Sequence, residues 1–372
     1  MNQTRAHRVV FVGGGHAHLY SLKNADKLIR EDALITVVGP DQHHYYSGMG
    51  PGMLSRIYTP EDARVDIPSL IHSRGGGFIR GHITAVDPDK KTLSVDTGET
   101  LAYDIASFNV GSHVPLNLID GAEQEAYPVK PIENLEVLRE KIISKSKIST
   151  PVILIIGAGP AGVELAGNIQ RLVHSHAGKA EIILAGSEHR ILPRFPEKAG
   201  ILAQNSLIER GITIMPGCMI SSMHKGIART ETGKEISYDL AVLTIGIQPK
   251  RIFGGFGIEI AQNGSLMVNT CLQSTTHPDI FGGGDCITFK KSPLDMVGVY
   301  AVKQAPILFH NIRALLKGEP LKEFVPQKRY LLIFNLGDGT GIFIRGSIIF
   351  RAKLAFKLKD FIDRRFISQF QI

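Results

Sequence analysis

The sequence predicts an α/β protein with two Rossmann-like dinucleotide-binding domains, the second inserted in the first, followed by a C-terminal β-hairpin and helix. Three observations predict it. Glycine-rich turns stand between strand and helix patterns at Gly13-Gly14-Gly15 and again at Gly157-Ala158-Gly159-Pro160-Ala161-Gly162. A later turn, Gly282-Gly283-Gly284-Asp285, closes a short apolar strand. The stretches between these turns repeat one another.

Residues 8–12 read as a buried strand, the first glycines open a helix reaching about residue 29, and residues 34–38 complete a β-α-β unit. In such a unit the glycines let a pyrophosphate settle on the helix N-terminus. His18 stands in the third glycine position, and Gly39, with Asp41 just beyond, replaces the acid expected at the end of the second strand. The second unit keeps all three glycines, between a strand at 152–156 and a helix, with the next strand at 181–185. That strand also lacks a terminal acid. Gly186-Ser187-Glu188-His189-Arg190 follows it, and His189 with Arg190 leaves room for a 2′-phosphate.

Thr97-Gly98-Glu99-Thr100-Leu101-Ala102-Tyr103-Asp104 aligns with Thr232-Gly233-Lys234-Glu235-Ile236-Ser237-Tyr238-Asp239. Gly111 and Gly246 end the following apolar strands at the same offset of 135. Two unrelated hairpins would not share the Tyr-Asp pair at one distance from each glycine turn, so duplication is the better reading. The Asp285 turn comes after the second copy. This predicts a first domain built from residues 1–120 and 265–325, a second from 121–264, and a C-terminal part from 326–372.

The three glycines before Asp285 let backbone approach a bulky group, and the acid accepts a sugar-type hydroxyl. A helix-compatible segment follows and would aim its positive end at an electron-rich ring. Residues 298–316 read as a helix stopped by Gly318 and Pro320. Runs at 330–336 and 341–344 flank Gly337-Asp338-Gly339-Thr340, a hairpin signal. The last 23 residues read as a helix in which Phe350, Leu354, Leu358, Ile362, Phe366 and Phe370 recur every four positions. That spacing drifts by about 40° per step, so the apolar face winds around the axis.

At 372 residues the chain exceeds a single core, and 43% apolar residues with 39 glycines describe a globular protein. Met-Asn-Gln-Thr-Arg leads directly to the first strand and leaves no room for a signal peptide. No apolar run nears the roughly 20 residues of a spanning helix. Cys218, Cys271 and Cys286 form no Cys-x-x-Cys pair, so neither a disulfide framework nor a local dithiol is indicated. Cytoplasmic residence is expected. Of the net charge of +7, four units come from the tail: Arg351, Lys353, Lys357, Lys359, Arg364 and Arg365 against Asp360 and Asp363.

Several motifs together resemble the pyridine nucleotide–disulfide oxidoreductase superfamily of flavoproteins. They are Val12-Gly13-Gly14-Gly15-His16-Ala17-His18, Tyr46-Ser47-Gly48-Met49-Gly50-Pro51-Gly52, Val129-Lys130-Pro131, and Gly157–Gly162 with Glu164. The Asp285 turn, Val299-Tyr300-Ala301-Val302-Lys303-Gln304, and Lys359-Asp360-Phe361-Ile362-Asp363-Arg364-Arg365-Phe366 complete the set, which spans almost the whole chain. Within the superfamily the chain resembles type II NADH dehydrogenases and the flavoproteins fused to selenide-water dikinase. No dikinase domain follows here, so that activity is not implied.

The resemblance implies FAD on Gly13, Gly14 and Gly15 with Asp285 on its ribitol, and NAD(P)H on Gly157, Gly159 and Gly162. Gly111 joins the cofactor-contacting set. Glu164 would lie close to where nicotinamide meets flavin, and Ala301–Gln304 is similar to a stretch lining a quinone pocket. Lys303 would help offset negative charge on a reduced flavin, and Gln304 would face the acceptor. Each has a blander alternative: Glu164 as a structural helix-start acid, Lys303 as a solvated lysine, Gln304 as a pocket wall.

Cys286 reads as a small buried packing residue, because nothing basic adjoins it. The cysteine pattern of sulfide:quinone oxidoreductases is absent. His16/His18, His43/His44 and His174/His176 lack a carboxylate or cysteine at ligand spacing, so they read as solvated or loop histidines and no metal is expected.

Two functions stay open. One is an FAD-dependent NAD(P)H dehydrogenase passing electrons to a quinone-like acceptor. The other is a flavoprotein electron donor or carrier partnering a selenium- or sulfur-metabolism enzyme. The basic, apolar terminal helix suits either a membrane surface, making the protein peripheral on the cytoplasmic face, or a cover for its own core or a homodimer partner. Nucleic acid is not expected as a partner.

Overall fold

Among the described residues, two five-stranded parallel sheets dominate this computed structural model, which covers residues 6–372 apart from 256 and 328. The five residues read above as leaving no room for a leader lie outside the described set. The first sheet runs, edge to edge, Ile280–Gly282, Ile105–Phe108, His7–Val12, Ala33–Gly39 and Gly77–Arg80. The second runs Ala126–Pro128, Leu240–Leu243, Val152–Ile156, Glu181–Ala185 and Thr213–Met215. Val9 to Val12 and Ile153 to Ile156 are all buried, as parallel strands covered on both faces must be.

The two halves share more than outline. A three-stranded antiparallel meander follows each glycine unit, at Ile83–Asp87, Thr92–Val95, Thr100–Ala102 and at Ile220–His224, Ile227–Thr230, Glu235–Ser237. The repeated aspartates do the same job. Asp104 Oδ2 accepts from Arg8 N at 2.7 Å, and Asp239 Oδ2 accepts from Val152 N at 2.8 Å. Each carboxylate thus fixes the first residues of the strand that leads into its glycine turn.

Four details differ from the reading of the sequence. The first helix breaks at Asn24 into His16–Lys23 and Ala25–Ile29, where Asn24 leaves helical geometry and its amide takes the Tyr20 carbonyl. No helix follows Asp285 directly. Gly284–Cys286 is a 3₁₀ turn, and Ile287–Phe289 then pairs in parallel with Leu266–Val268, as its β-branched and aromatic residues favour. The helix awaited there is Gly298–Lys317, which packs on His16–Lys23.

The C-terminal part is a three-stranded sheet, not a two-stranded hairpin. Leu332–Asn335, Gly341–Arg345 and Ile348–Ala352 precede the helix Lys353–Ile367, so Phe350 lies in a strand and stacks on Phe343. Within that helix the drift expected from the spacing is visible. Leu354, Leu358 and Ile362 stay exposed, while the later Phe366 turns inward and Phe370, just past the helix, is buried.

Candidate functional site

The first glycine turn is held from behind by Asn109, at the end of the strand beside it. Asn109 Oδ1 accepts from Ala17 N (3.0 Å), and its Nδ2 donates to the Gly283 carbonyl (2.6 Å). One buried amide therefore joins Gly13–Gly15 to the Asp285 turn, although 174 residues separate Asn109 from Gly283. Gly13 has φ +87°, and a Cβ there would collide with the Asn109 carbonyl. Gly14 lies against Ile67, and Gly15 against the Asn109 side chain. Thr244, at the matching position 135 residues on, anchors the second turn by donating to the Gly157 carbonyl at 2.7 Å.

His18 explains why the third glycine is dispensable in the first turn. It is fully buried, with Nδ1 2.6 Å from the Gly13 carbonyl and Nε2 2.9 Å from Ser107 Oγ. Burial lowers its pKa to about 4, so it is a neutral bracket between strand and helix. His16 and His44 are half-buried and face one another, which corrects the solvated reading for them and for His18, while His174 is exposed as expected. The His16 and His44 rings meet edge to face, with His44 Nε2 3.0 Å from His16 Nδ1. Burial, with the nearby Lys130 charge second, lowers the His16 pKa to about 4.

Asp285 does not stand alone. Ser112 Oγ donates to its Oδ2 at 2.6 Å, and Lys130 Nζ reaches both Ser112 Oγ (2.7 Å) and that same Oδ2 (3.1 Å). Asp285 Oδ1 has no partner among the described residues. Gln304 is buried, and its Oε1 accepts from Gly284 N at 2.7 Å, so it shapes the turn from the helix behind. Lys303 is exposed on that helix. The cation actually beside Asp285 is Lys130, whose motif was visible in the sequence but carried no assigned role. Cys286 is buried, and burial pushes its thiol up to about 11, which leaves it inert.

In the second turn Gly162 needs its missing side chain: a Cβ there would run into the Gly157 carbonyl. Gly159 differs. It caps Pro160–Ser175, and a Cβ there meets nothing within 4 Å. The two turns lie on one side of the molecule, because the chain just past Gly111 pairs with the chain just past Gly246: Ser112 opposite Pro249, His113 opposite Gln248.

Where both domains meet the C-terminal part, a charged cluster is buried. Lys359 and Asp363 are 8% and 4% exposed on the inner face of the last helix. Lys359 Nζ donates to Asp363 Oδ2 (2.6 Å) and to the Gly48 carbonyl (2.7 Å), and Tyr46 OH donates to Asp363 Oδ1 (3.2 Å). Phe366 stacks on His16 just below. Glu164, on the second-turn helix, accepts from Asn335 N at 2.6 Å through Oε1. Burial pushes its carboxyl up to about 7, and Lys359 pulls it partly back. Glu164 carried an expected role in the sequence, whereas Lys359 and Asp363 lay in a motif visible there but carried no assigned role.

These residues fit two nucleotide-type cofactors. His16 Nε2 and His113 Nδ1 are buried and lack partners, one beside Gly13–Gly15 and the other beside Gly111, so a polar group is wanted at each. Gly111 and Gly159 leave open space at a strand end and a helix start. Asp285, Ser112 and Lys130 offer both acceptor and donor. No group of three or more His, Cys, Asp or Glu poised for a metal occurs among the described residues.

Comparison with known proteins identifies the family and the fold. The family model for pyridine nucleotide-disulphide oxidoreductases matches residues 7–306. The chain is 25% identical over 344 residues to the NADH dehydrogenase-like protein YutJ of Bacillus subtilis, covering 90% of this chain and 91% of that one. It is 24% identical over 384 residues to the type II NADH:quinone oxidoreductase of Staphylococcus saprophyticus, covering 96% and 94%. The sulfide:quinone oxidoreductase of Aquifex aeolicus superposes with TM-score 0.83 at 19% identity, covering 98% of this chain and 92% of that one, a likeness of fold.

Proposed function

Because the chain belongs to the pyridine nucleotide-disulphide oxidoreductase family, whose members use a flavin and a pyridine nucleotide, we propose that it is an FAD-dependent NAD(P)H dehydrogenase delivering electrons to a quinone-like acceptor. The observation that carries the reading is the convergence of both glycine turns, Asp285 and the Glu164–Lys359 cluster on one junction. The names of relatives such as the Staphylococcus enzyme favour a quinone acceptor over a carrier role.

Gly13–Gly15 and the His18 bracket would seat the FAD pyrophosphate at the start of His16–Lys23, with Asp285 Oδ1 accepting from the ribitol. The helix start behind Gly159 would hold the pyrophosphate of NAD(P)H. Bound flavin supplies two-electron chemistry, taking hydride from the nicotinamide and passing electrons on. The chain contributes position and protons. Lys130 balances the Asp285 charge, and Gln304 fixes the Gly284 amide so that the turn keeps its shape.

Glu164 is the proton donor in this reading. Its Oε1 is occupied by the Asn335 amide, so the second oxygen holds the proton that acceptor reduction consumes. A carboxyl with pKa near 7 carries that proton below pH 7 and loses it above. The deciding test is whether NADH or NADPH bleaches the yellow protein and sustains turnover on a soluble quinone. Acceptor reduction should fall as pH rises through about 7, and Glu164→Gln should slow it and flatten that profile. An unchanged profile in Glu164→Gln would remove this residue from the proton path.

Among the described residues no helix is long and apolar enough to cross a membrane. Attachment from one side is the proposal. Ile348 (58% exposed), Leu354 (72%) and Phe361 (60%) are open to solvent beside Lys353, Lys357 and Arg365. Basic side chains near an anionic leaflet contribute about 1 kcal/mol each, and inserted apolar groups add to that. The holoprotein should therefore float with anionic liposomes at low salt. Leu354→Glu with Phe361→Glu, both on the outer surface, should abolish flotation without lowering Tm. An intact protein that stays in the soluble fraction ends the idea.

A further inference from the structure

The rim of the second glycine turn is a closed loop of known shape. Past the strand Glu181–Ala185, residues 186–192 wrap around Ala158, the residue between the first two glycines. Gly157 N donates to Ala185 O (2.8 Å) and Leu192 N to Ala158 O (2.9 Å). A Cβ on Gly186 would lie 2.5 Å from that of Ala158. The other flank is pinned as well: Gly217 N donates to Glu188 O (2.8 Å) and Cys218 N to Gly186 O (2.7 Å). When a pyrophosphate rests on the helix start at Gly159, the adenosine ribose of the same nucleotide must lie along this rim.

Two charged side chains on the rim behave oppositely. Arg190, the residue that would welcome a 2′-phosphate, is spent internally. Its Nη1 donates to Leu192 O (3.0 Å), and its Nη2 donates to Pro193 O (2.7 Å) and Phe195 O (2.8 Å). Freeing it would strip three carbonyls that shape the loop. Glu188 is exposed, and its carboxylate has no hydrogen bond or ion pair among the described residues. An acid at this place accepts from a ribose hydroxyl and repels a phosphate dianion.

Resting on the dehydrogenase reading above, we propose that the second turn is built for NADH and rejects NADPH, with Glu188 taking the ribose 2′-hydroxyl. The acid missing from the strand end is thus displaced three residues along, onto a loop held in place by Gly217. Arg190, which the sequence offers as a phosphate ligand, is instead the residue that shapes the loop presenting Glu188.

The experiment uses the flavin-loaded protein. NAD⁺ and NADP⁺ binding is measured by calorimetry, and flavin reduction by NADH and NADPH is followed in stopped flow. The proposal expects NAD⁺ to bind roughly 100-fold or more tightly than NADP⁺, since juxtaposed like charges cost several kcal/mol. Glu188→Gln should weaken NAD⁺ about 10-fold, the worth of a charge-assisted hydrogen bond, and tighten NADP⁺. These opposite movements are something general damage to the loop does not produce. Arg194→Ala, removing the exposed guanidinium further along, should leave the ratio unchanged.

Equal reduction by NADPH, parallel weakening of both nucleotides in Glu188→Gln, or selective loss of NADP⁺ in Arg194→Ala would each overturn the assignment while leaving the dehydrogenase reading intact. Should neither nucleotide bind or bleach the flavin, both readings fall together.

Discussion

Gly159→Val is expected to abolish reduction of the bound flavin by pyridine nucleotide while the flavin itself stays in place. The reason lies in the contrast between two glycines of one turn. At Gly162 any side chain meets the Gly157 carbonyl, so substitution there damages the fold. At Gly159 a Cβ meets nothing within 4 Å, so valine fits the protein and fills only the space in front of the helix start. A pyrophosphate held off by even an ångström misplaces the nicotinamide, and such errors cost about 100-fold in rate. Flavin-to-protein ratio and Tm should match the parent, with the reduction rate below roughly 1% of it. Reduction at the parental rate would mean that the nucleotide does not use this turn. Loss of flavin as well would mean that the cofactors have been exchanged between domains.

Lys359→Met is expected to be the most destabilising of the conservative changes considered. It leaves the Asp363 carboxylate buried without its cation and the Gly48 carbonyl without its donor. Removing one partner of a buried ion pair typically costs about 3–5 kcal/mol. Asp363→Leu should cost a similar amount, but Lys359→Met with Asp363→Leu should cost clearly less than the sum, because no isolated charge remains. Denaturant unfolding of the four proteins gives the cycle directly. A second readout is chemical. Lys359 holds the Glu164 pKa down, so its loss should move the alkaline limb of acceptor reduction to higher pH. Additive costs and an unmoved limb together would show that the cluster is neither a pair nor coupled to Glu164.

Much of this architecture was legible because it is local. Both glycine turns, the Thr-Gly turns and the Tyr-Asp repeat announce themselves through residues whose roles are set within a few positions. Asp104 and Asp239 could be matched by sequence alone, and they bond equivalent strand starts. What escaped was non-local or concealed by chemistry that has two uses. Asn109 looks like any strand-end amide until Gly283 arrives from 174 positions away. Lys303 lies on the helix expected to face the ring, yet the chain folds Lys130 against Asp285 and leaves Lys303 in solvent. The third strand of the C-terminal sheet was absorbed into a helix because Phe350 satisfied a four-residue spacing by coincidence. Lys359 and Asp363 sit at helical spacing that usually marks a wet surface, and only tertiary packing turns that stripe inward.

The strand Ile280–Gly282, pairing with Ile105–Phe108, also sets the order in which a growing chain can mature. Domains usually fold as they leave the ribosome, N-terminal first. Here the first sheet is still one strand short when Phe108 emerges, and Ile280 lies 172 residues further on (280 − 108). The helix Gly298–Lys317, which covers His16–Lys23, comes later still. The second sheet, by contrast, draws all its strands from residues 126–243 and can close without waiting. The half synthesised first is thus completed last. During that interval its apolar strands need either the inserted domain or a chaperone for company.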